Sequence, residues 1–313
     1  MPGGPRRNKP IVCLFLTLLI EFDHAEYLRQ QVFHHGRSLH DMIRLHILHV
    51  CDLGARDKLS EAKEHCMSVL RELGEALPKN PTKLHVLLAV LKSRRKVRGM
   101  SDEALLCLPN MSDVDKLAVM QILNVMFLNV YFIDPLLTAL VAVRMVSLSL
   151  DYGLSSISSA GFAFYGVLSC SCRVDTEFGY RCGQLALRVL EKFKCAEFVP
   201  RVYAPVYGFI NSWKFEFSAA LEPLKYAYDV GLETGDIEFA MVNASLFGVS
   251  LLVFTWGNAF PVTHLGFPLS DHVLHHGEVP GVLRKPNRFF CGSAGVAQSR
   301  EFSLDVAIRA ATD

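Results

Sequence analysis

Several small groups of residues could carry chemistry in this sequence. His46 and His49 stand three apart on one helical stripe with Asp52 beyond, the way two ligands of a divalent metal are commonly arranged. No flanking ligand completes a shell, so the pattern favours helix-surface packing. Cys170 and Cys172, with Cys182 ten residues on, outline half a metal site. Zinc ribbons and fingers use a two-residue gap and a second matched pair, so these cysteines read as small buried apolar side chains. His272, His275 and His276 could bring two imidazoles together, but no acid or thiol is spaced to join them. Glu233, Asp236 and Glu238 cluster where one helix should end and another begin. Gly235 as a C-cap and Asp236 as an N-cap explain that cluster more simply than an acidic binding patch does.

Two features suit a partner rather than a reaction. Lys92, Arg94, Arg95, Lys96 and Arg98 form the sharpest local charge run. Such a run is ordinarily a solvated helix face, with a docking surface for an acidic partner or phosphate as the other reading. Trp213 and Lys214 could anchor an interface, although a tryptophan packed between repeats is the plainer expectation.

Composition bounds what these residues can belong to. The chain has 313 residues, 51% hydrophobic and 20% charged, with 32 Lys and Arg against 31 Asp and Glu, which favours neither disorder nor a polyanion-binding surface. Nucleic acid is therefore not the expected partner. Nine cysteines without the spacing of a disulfide framework fit a reducing compartment, and a cytoplasmic location is expected. Arg6, Arg7 and Lys9 precede the uncharged run 11–20 in the outline of a signal peptide, but Glu21, Phe22, Asp23 and His24 stand where a small-residue cleavage site belongs. Residues 1–24 are read as an unassigned leader.

Between residues 25 and 258 the hydrophobic spacing is helical almost throughout, and no alternating run is bounded by hairpin signals. Helices are predicted over 38–53, capped by Ser38, and over 58–73, with a break at Gly54 and Asp57. Further helices are expected from Pro81 to Val97, a short one after Ser101, a long one capped by Ser112, and one from Asp134 and Pro135 to Tyr152. Gly153 should end that last helix in a left-handed cap. Tyr165-Gly166 recurs as Tyr207-Gly208 and as Phe247-Gly248, at steps of 42 and 40 residues. Ala186 and Ala227 come about twenty residues after the first two copies. Glycine and alanine admit a neighbouring backbone where helices cross, and the aromatic fills the space left over. The expected architecture is all-α, an α-solenoid of antiparallel helix pairs of tetratricopeptide-like kind over 25–258, followed by an irregular tail at 259–313.

Five segments in order resemble the helical region of very large multidomain signalling proteins, the predicted ATPases of the AAA or STAND type: 105–113 (LLCLPNMSD), 145–153 (MVSLSLDYG), 179–187 (GYRCGQLAL), 209–214 (FINSWK) and 231–240 (GLETGDIEFA). In that family a kinase-like segment and an ATPase precede a long tetratricopeptide-like region, often followed by GAF and histidine-kinase modules. The resemblance implies a middle region severed from its catalytic domains. No Gly-x-x-x-x-Gly-Lys-Ser/Thr loop and no His-Arg-Asp or Asp-Phe-Gly stretch occurs, so no family catalytic residue carries over and no cofactor is implied.

The expected function is a noncatalytic scaffold that binds a protein partner or other domains of a larger signalling chain, with no small-molecule substrate. The alternative is a polytopic membrane protein using the uncharged segments 152–172 and 239–256 as spans. A metal-dependent enzyme is the third and least favoured reading.

Overall fold

The computed structural model describes residues 39–171 and 175–259. The leader, Ser38, Cys172 and the three tail histidines lie outside the described residues. The described chain is all-α, with no strand among the described residues. The described residues divide into two compact units: 39–92 with 109–153, and 93–108 with 154–171 and 175–259.

The first unit opens with a hairpin, α1 (Leu39–Ala55) and α2 (Leu59–Glu72). Asp57 takes the left-handed conformation at the turn, φ 58°, and the Lys58 amide donates to the Leu53 carbonyl. Ala62, Cys66, Val69 and Leu70 recur at three- and four-residue steps along α2 and are all buried. After the first half of α3 (Lys83–Arg98), the chain returns to this unit at α5 (Val114–Ile133) and α6 (Pro135–Tyr152); α4 (Asp102–Leu106) belongs to the second unit. Helix α5 packs against α1, α2 and α6, which explains why it is apolar on nearly every side.

The caps refine the sequence reading. Asp113, not Ser112, starts α5: its Oδ1 accepts the Lys116 amide at 3.1 Å. Asp134 caps α6 through the Leu137 amide at 3.0 Å, with Pro135 in the first turn, where a missing N–H costs nothing. Gly153 ends α6 with φ 100° and ψ 173°, a positive but extended conformation rather than the expected left-handed cap. A Cβ there would strike the Pro109 carbonyl, so backbone approach as well as φ calls for glycine. Two ion-pair groups fasten this unit. Lys63 binds Asp134 at 2.6 Å, and the buried Glu75 receives Arg144 at 2.7 Å and Lys116 at 3.5 Å.

The second unit is built on α7 (Ser156–Ser171) and α8 (Thr176–Phe193), which cross with their backbones in contact. A Cβ on Gly166 would lie 2.9 Å from the Gly179 carbonyl, and one on Gly179 would lie 2.9 Å from the Gly166 carbonyl. Tyr165 is fully buried beside this crossing and meets Phe178 edge-on at 5.8 Å. The expected segment 152–172 is thus not one helix. It breaks at Gly153, and α7 has 16 residues, a rise of about 24 Å, short of a bilayer's hydrocarbon core.

Arg181 ties the segment 93–108 to α8. Its Nε donates to Asp102 at 2.7 Å and its Nη2 donates to the Met100 carbonyl. The remaining helices are α9 (Val199–Pro205), α10 (Leu221–Thr234) and α11 (Ile237–Ala259), with a π turn at Val206–Ile210 continuing α9. Gly235 is left-handed at φ 81° and ends α10. Ala259 belongs to α11, so the described helix runs one residue into the segment read as tail.

The aromatic-glycine recurrence has a physical counterpart. Ile210, from the second copy, lies over Gly166 and Gly183, with its Cδ1 2.6 Å from where a Gly166 Cβ would stand. Leu246, the residue just before the third copy, lies over Gly208 at the same 2.6 Å. Each of these two glycines therefore receives a branched aliphatic side chain from further along the chain, although from different positions: Ile210 lies two residues after the second pair and Leu246 directly before the third. Ala186 and Ala227 are fully buried, as expected of residues that admit a close neighbour.

Three described helices are long and apolar enough to cross a membrane by length and composition: Val114–Ile133, Pro135–Tyr152 and Ile237–Thr255. The first two have 50% and 56% of their most apolar window buried within the protein, against 28% for the third. Burial against neighbouring helices accounts for the apolarity of the first two and leaves most of the third unexplained.

Candidate functional site

The basic run divides by role. Arg94 and Arg98 both bind Asp175 and stand 5.5 Å from the Phe178 ring centre. Asp175 also caps α8, accepting the Phe178 amide at 2.9 Å. Burial works to raise the Asp175 pKa, but the Phe178 N–H and the two guanidinium groups outweigh it and hold the carboxyl below its ordinary range. These two arginines therefore fasten the second unit. Lys92, Arg95 and Lys96 are exposed.

Trp213 sits half-buried in a 3₁₀ turn, Asn211–Trp213. Lys214 leads to a feature that hydrophobic periodicity does not disclose. Its ammonium lies 4.3 Å from the Tyr180 ring centre and pairs with Glu177 at 2.7 Å. Tyr180 packs against Phe215 at 6.1 Å; Tyr203 meets Tyr207 at 4.9 Å and Tyr226 at 5.8 Å, both with tilted rings. Burial, with the Tyr180 phenol beside it, raises the Tyr207 pKa; burial, with Tyr207 and Tyr226 beside it, raises that of Tyr203. Phe215 and Tyr180 thus form one aromatic pair and Tyr207, Tyr203 and Tyr226 a second group, together called the tyrosine row. Phe215 and Tyr226 are 47% and 53% exposed.

The backbone beside these rings is irregular. Pro200 lies in the first turn of α9 and Pro205 at its end, and the π turn at Val206–Ile210 comes directly after it. A π turn inserts one residue into the helical count and rotates the succeeding side chains by about 100°. Tyr207, inside the π turn, is half-buried, whereas Tyr165, its counterpart in the preceding copy, is core. Tyrosines of this kind offer broad apolar faces with a phenol at the tip and lose little entropy when a polypeptide settles on them.

The metal readings fare differently from the partner residues. His65, on α2, joins His46 and His49: His46 Nδ1 lies 2.9 Å from His65 Nε2, and the His49 and His65 ring centres are 4.7 Å apart and edge-on. A ring nitrogen engaged with another ring nitrogen is withheld from a metal. Among the described residues, no group of three His, Cys, Asp or Glu is placed to hold an ion. Asp52 is buried and pairs with Arg56 at 3.2 Å. Cys170 and Cys182 are buried, and burial pushes the Cys182 thiol up, away from thiolate chemistry. Asp236 serves as a cap and an ion-pair partner, its Oδ1 accepting from the Phe239 amide at 3.4 Å and its Oδ2 from Arg201 Nε at 2.6 Å.

The histidine cluster makes stability depend on pH. Burial, with the His49 charge beside it, pushes the His46 imidazole down from 6.5 to about 4. Between those values the unfolded chain takes up a proton that the folded ring refuses, so the stability contributed above 6.5 is lost as pH falls toward 4. Urea denaturation is expected to show a loss of up to roughly 3 kcal/mol across that window, reduced in His46→Gln. An unchanged pH slope in the variant would rule out His46 as its source.

Comparison of this chain with protein-family models, with curated proteins and with solved structures finds no match.

Proposed function

We propose that this chain is a noncatalytic helical-repeat scaffold, cytoplasmic, whose second unit grips a protein segment along the tyrosine row. The helix pairs are read as steps of an α-solenoid of tetratricopeptide-like kind, similar to the middle region of the AAA or STAND signalling ATPases. The observation that carries the reading is that two glycines of the recurrence are each filled by a later branched aliphatic side chain, Gly166 by Ile210 and Gly208 by Leu246. Such filling fits a stack of similar units, and stacked helix pairs commonly serve as binding surfaces. The row from Phe215 to Tyr226, with Lys214 beside it, has the aromatic and cationic chemistry that dominates protein interfaces.

Purified chain is expected neither to bind nor to hydrolyse ATP with magnesium. A photo-crosslinking residue at Tyr226 in cells should attach to a distinct protein band, and one at the exposed Lys58 should not. Saturable nucleotide turnover would overturn the reading, and so would a Tyr226 site that crosslinks nothing but lipid.

The apolar helix Ile237–Thr255 supports a second reading, attachment to a membrane. Carbonate extraction separates the two: release into the supernatant is expected of the scaffold, and retention in the pellet of a spanning protein.

A further inference from the structure

The basic run shares its helix with a line of exposed leucines. Between Glu75 and Asp102 the chain carries seven Lys and Arg and no Asp or Glu, in a protein whose formal net charge is only +1. Helix α3 lies within that stretch and is uninterrupted from Lys83 to Arg98, so helical geometry alone sets which of its residues share a side. Val86, Ser93 and Val97 are its buried residues, at 4%, 1% and 0% exposure. On the opposite side Leu84, Leu88 and Leu91 follow at intervals of four and three residues, and they are 61%, 58% and 53% exposed. Single leucines on a surface are ordinary, but three on successive turns form an apolar stripe. Arg95 continues the stripe one turn further on, and Lys92 and Lys96 flank it. All three cations are exposed, whereas Arg94 and Arg98 are engaged with Asp175.

The charge of this face calls for an occupant that is both anionic and apolar. A bilayer with anionic headgroups meets that requirement, and so does an acidic amphipathic helix. Arg95 decides between them. It stands on the centre line of the stripe, where a partner helix laid lengthwise would bury its guanidinium and have to supply a buried carboxylate. On a bilayer the arginine stem lies beside the leucines while the guanidinium reaches the phosphates. We infer that α3 is a membrane-contact helix that lies flat on a bilayer containing anionic lipid. Leu84, Leu88 and Leu91 enter the acyl boundary, and Lys92, Arg95 and Lys96 sit among the headgroups. The contact is peripheral, goes beyond the scaffold reading and would bring the scaffold to a membrane surface. It differs from a span through Ile237–Thr255, because charge holds it and salt releases it.

Co-sedimentation of the full chain with lipid vesicles is the test. The chain should pellet with vesicles of equal parts phosphatidylcholine and phosphatidylserine, stay in solution with phosphatidylcholine alone, and leave the mixed vesicles as salt rises to about 0.5 M. Lys92→Glu with Arg95→Glu should weaken binding by at least about tenfold, and Leu88→Ser by at least about threefold. Lys225→Glu with Arg71→Glu makes the same change of charge at exposed positions outside α3 and should cost less than about threefold. Every substituted side chain is exposed, so each variant should keep the native circular dichroism spectrum. A photo-crosslinking residue at Leu88 in cells should attach to lipid. A distinct protein band at Leu88 identifies an acidic partner helix and overturns the proposal. A chain that ignores phosphatidylserine overturns it too, as does one that pellets equally with phosphatidylcholine alone, or a Leu88→Ser variant that binds like the native chain. None of these outcomes touches the ATP assay or the Tyr226 crosslink, by which the scaffold reading stands or falls separately.

Discussion

Gly179→Leu is expected to abolish the cooperative unfolding transition of the second unit, a loss of at least about 3 kcal/mol. The crossing of α7 and α8 leaves no route for relaxation. Two of the three nearest atoms to a Gly179 Cβ are backbone, the Gly166 carbonyl oxygen at 2.9 Å and the Cys170 nitrogen at 3.1 Å. A flexible side chain can rotate away from an added methyl group, whereas a helix backbone cannot move without unpacking the side chains that lie on it. Tyr165 and Phe178 pack at this crossing, so separating the helices exposes both rings. The same exchange at Gly248, also within a helix, should change stability by less than about 1 kcal/mol, because nothing stands near it. Urea titrations followed by circular dichroism compare the two. A Gly179→Leu variant as stable as the native chain would show that the helices do not cross there.

Asp236→Ala is expected to cost about 3 to 4 kcal/mol. The carboxylate accepts two hydrogen bonds from Arg201, at 2.6 and 3.1 Å, and helps cap α11 through the Phe239 amide. Both side chains are largely buried, at 12% and 11% exposure, and the guanidinium carbon lies 4.6 Å from the Phe239 ring centre. Removing the acid leaves a guanidinium facing apolar surface with its main counter-charge gone, which is costlier than losing both partners. The double variant Asp236→Ala with Arg201→Met should therefore recover part of the loss. A double variant less stable than Asp236→Ala would contradict that explanation.

The helices are legible in the sequence because their signals are local. Ser101 and Asp134 cap where hydrogen-bond chemistry says they should, and Gly235 ends α10 in the left-handed conformation that glycine tolerates best. The apolar steps of α2 also predict its buried face. The hidden features depend on which helices meet. Nothing in the spacing of His46 and His49 points to His65 across the hairpin turn. Glu75 shows no motif, yet it is buried between Arg144 and Lys116 from two other helices. The recurrence marks Gly166, but its backbone partner Gly179 has no equivalent in the repeat and can be found only from the crossing itself.

The tyrosine row is hidden for a further reason. Tyr207 matches Tyr165 in sequence but not in environment: it is half-buried in a π turn, whereas Tyr165 is core. Lys214, beside Trp213 in the sequence, lies on the row, whereas Tyr180, Tyr203 and Tyr226 come from three separate helices that no single periodicity joins. Arg94 and Arg98 illustrate the converse. Within a charge run, the two arginines that bind Asp175 are indistinguishable by sequence from Lys92, Arg95 and Lys96, and Arg98 is itself as exposed as those three.

The proposed stacking of helix pairs is tested most directly by a double-mutant cycle on Gly208 and Leu246. All three atoms nearest to a Gly208 Cβ belong to the Leu246 side chain. Gly208→Ala should destabilise the native chain by about 1 kcal/mol or more, and should be neutral or stabilising once Leu246→Ala has removed the obstruction, giving a coupling of at least about 1 kcal/mol. Additive effects would show that Leu246 does not fill Gly208, and the stacking of successive helix pairs on which the scaffold reading depends would be lost with it.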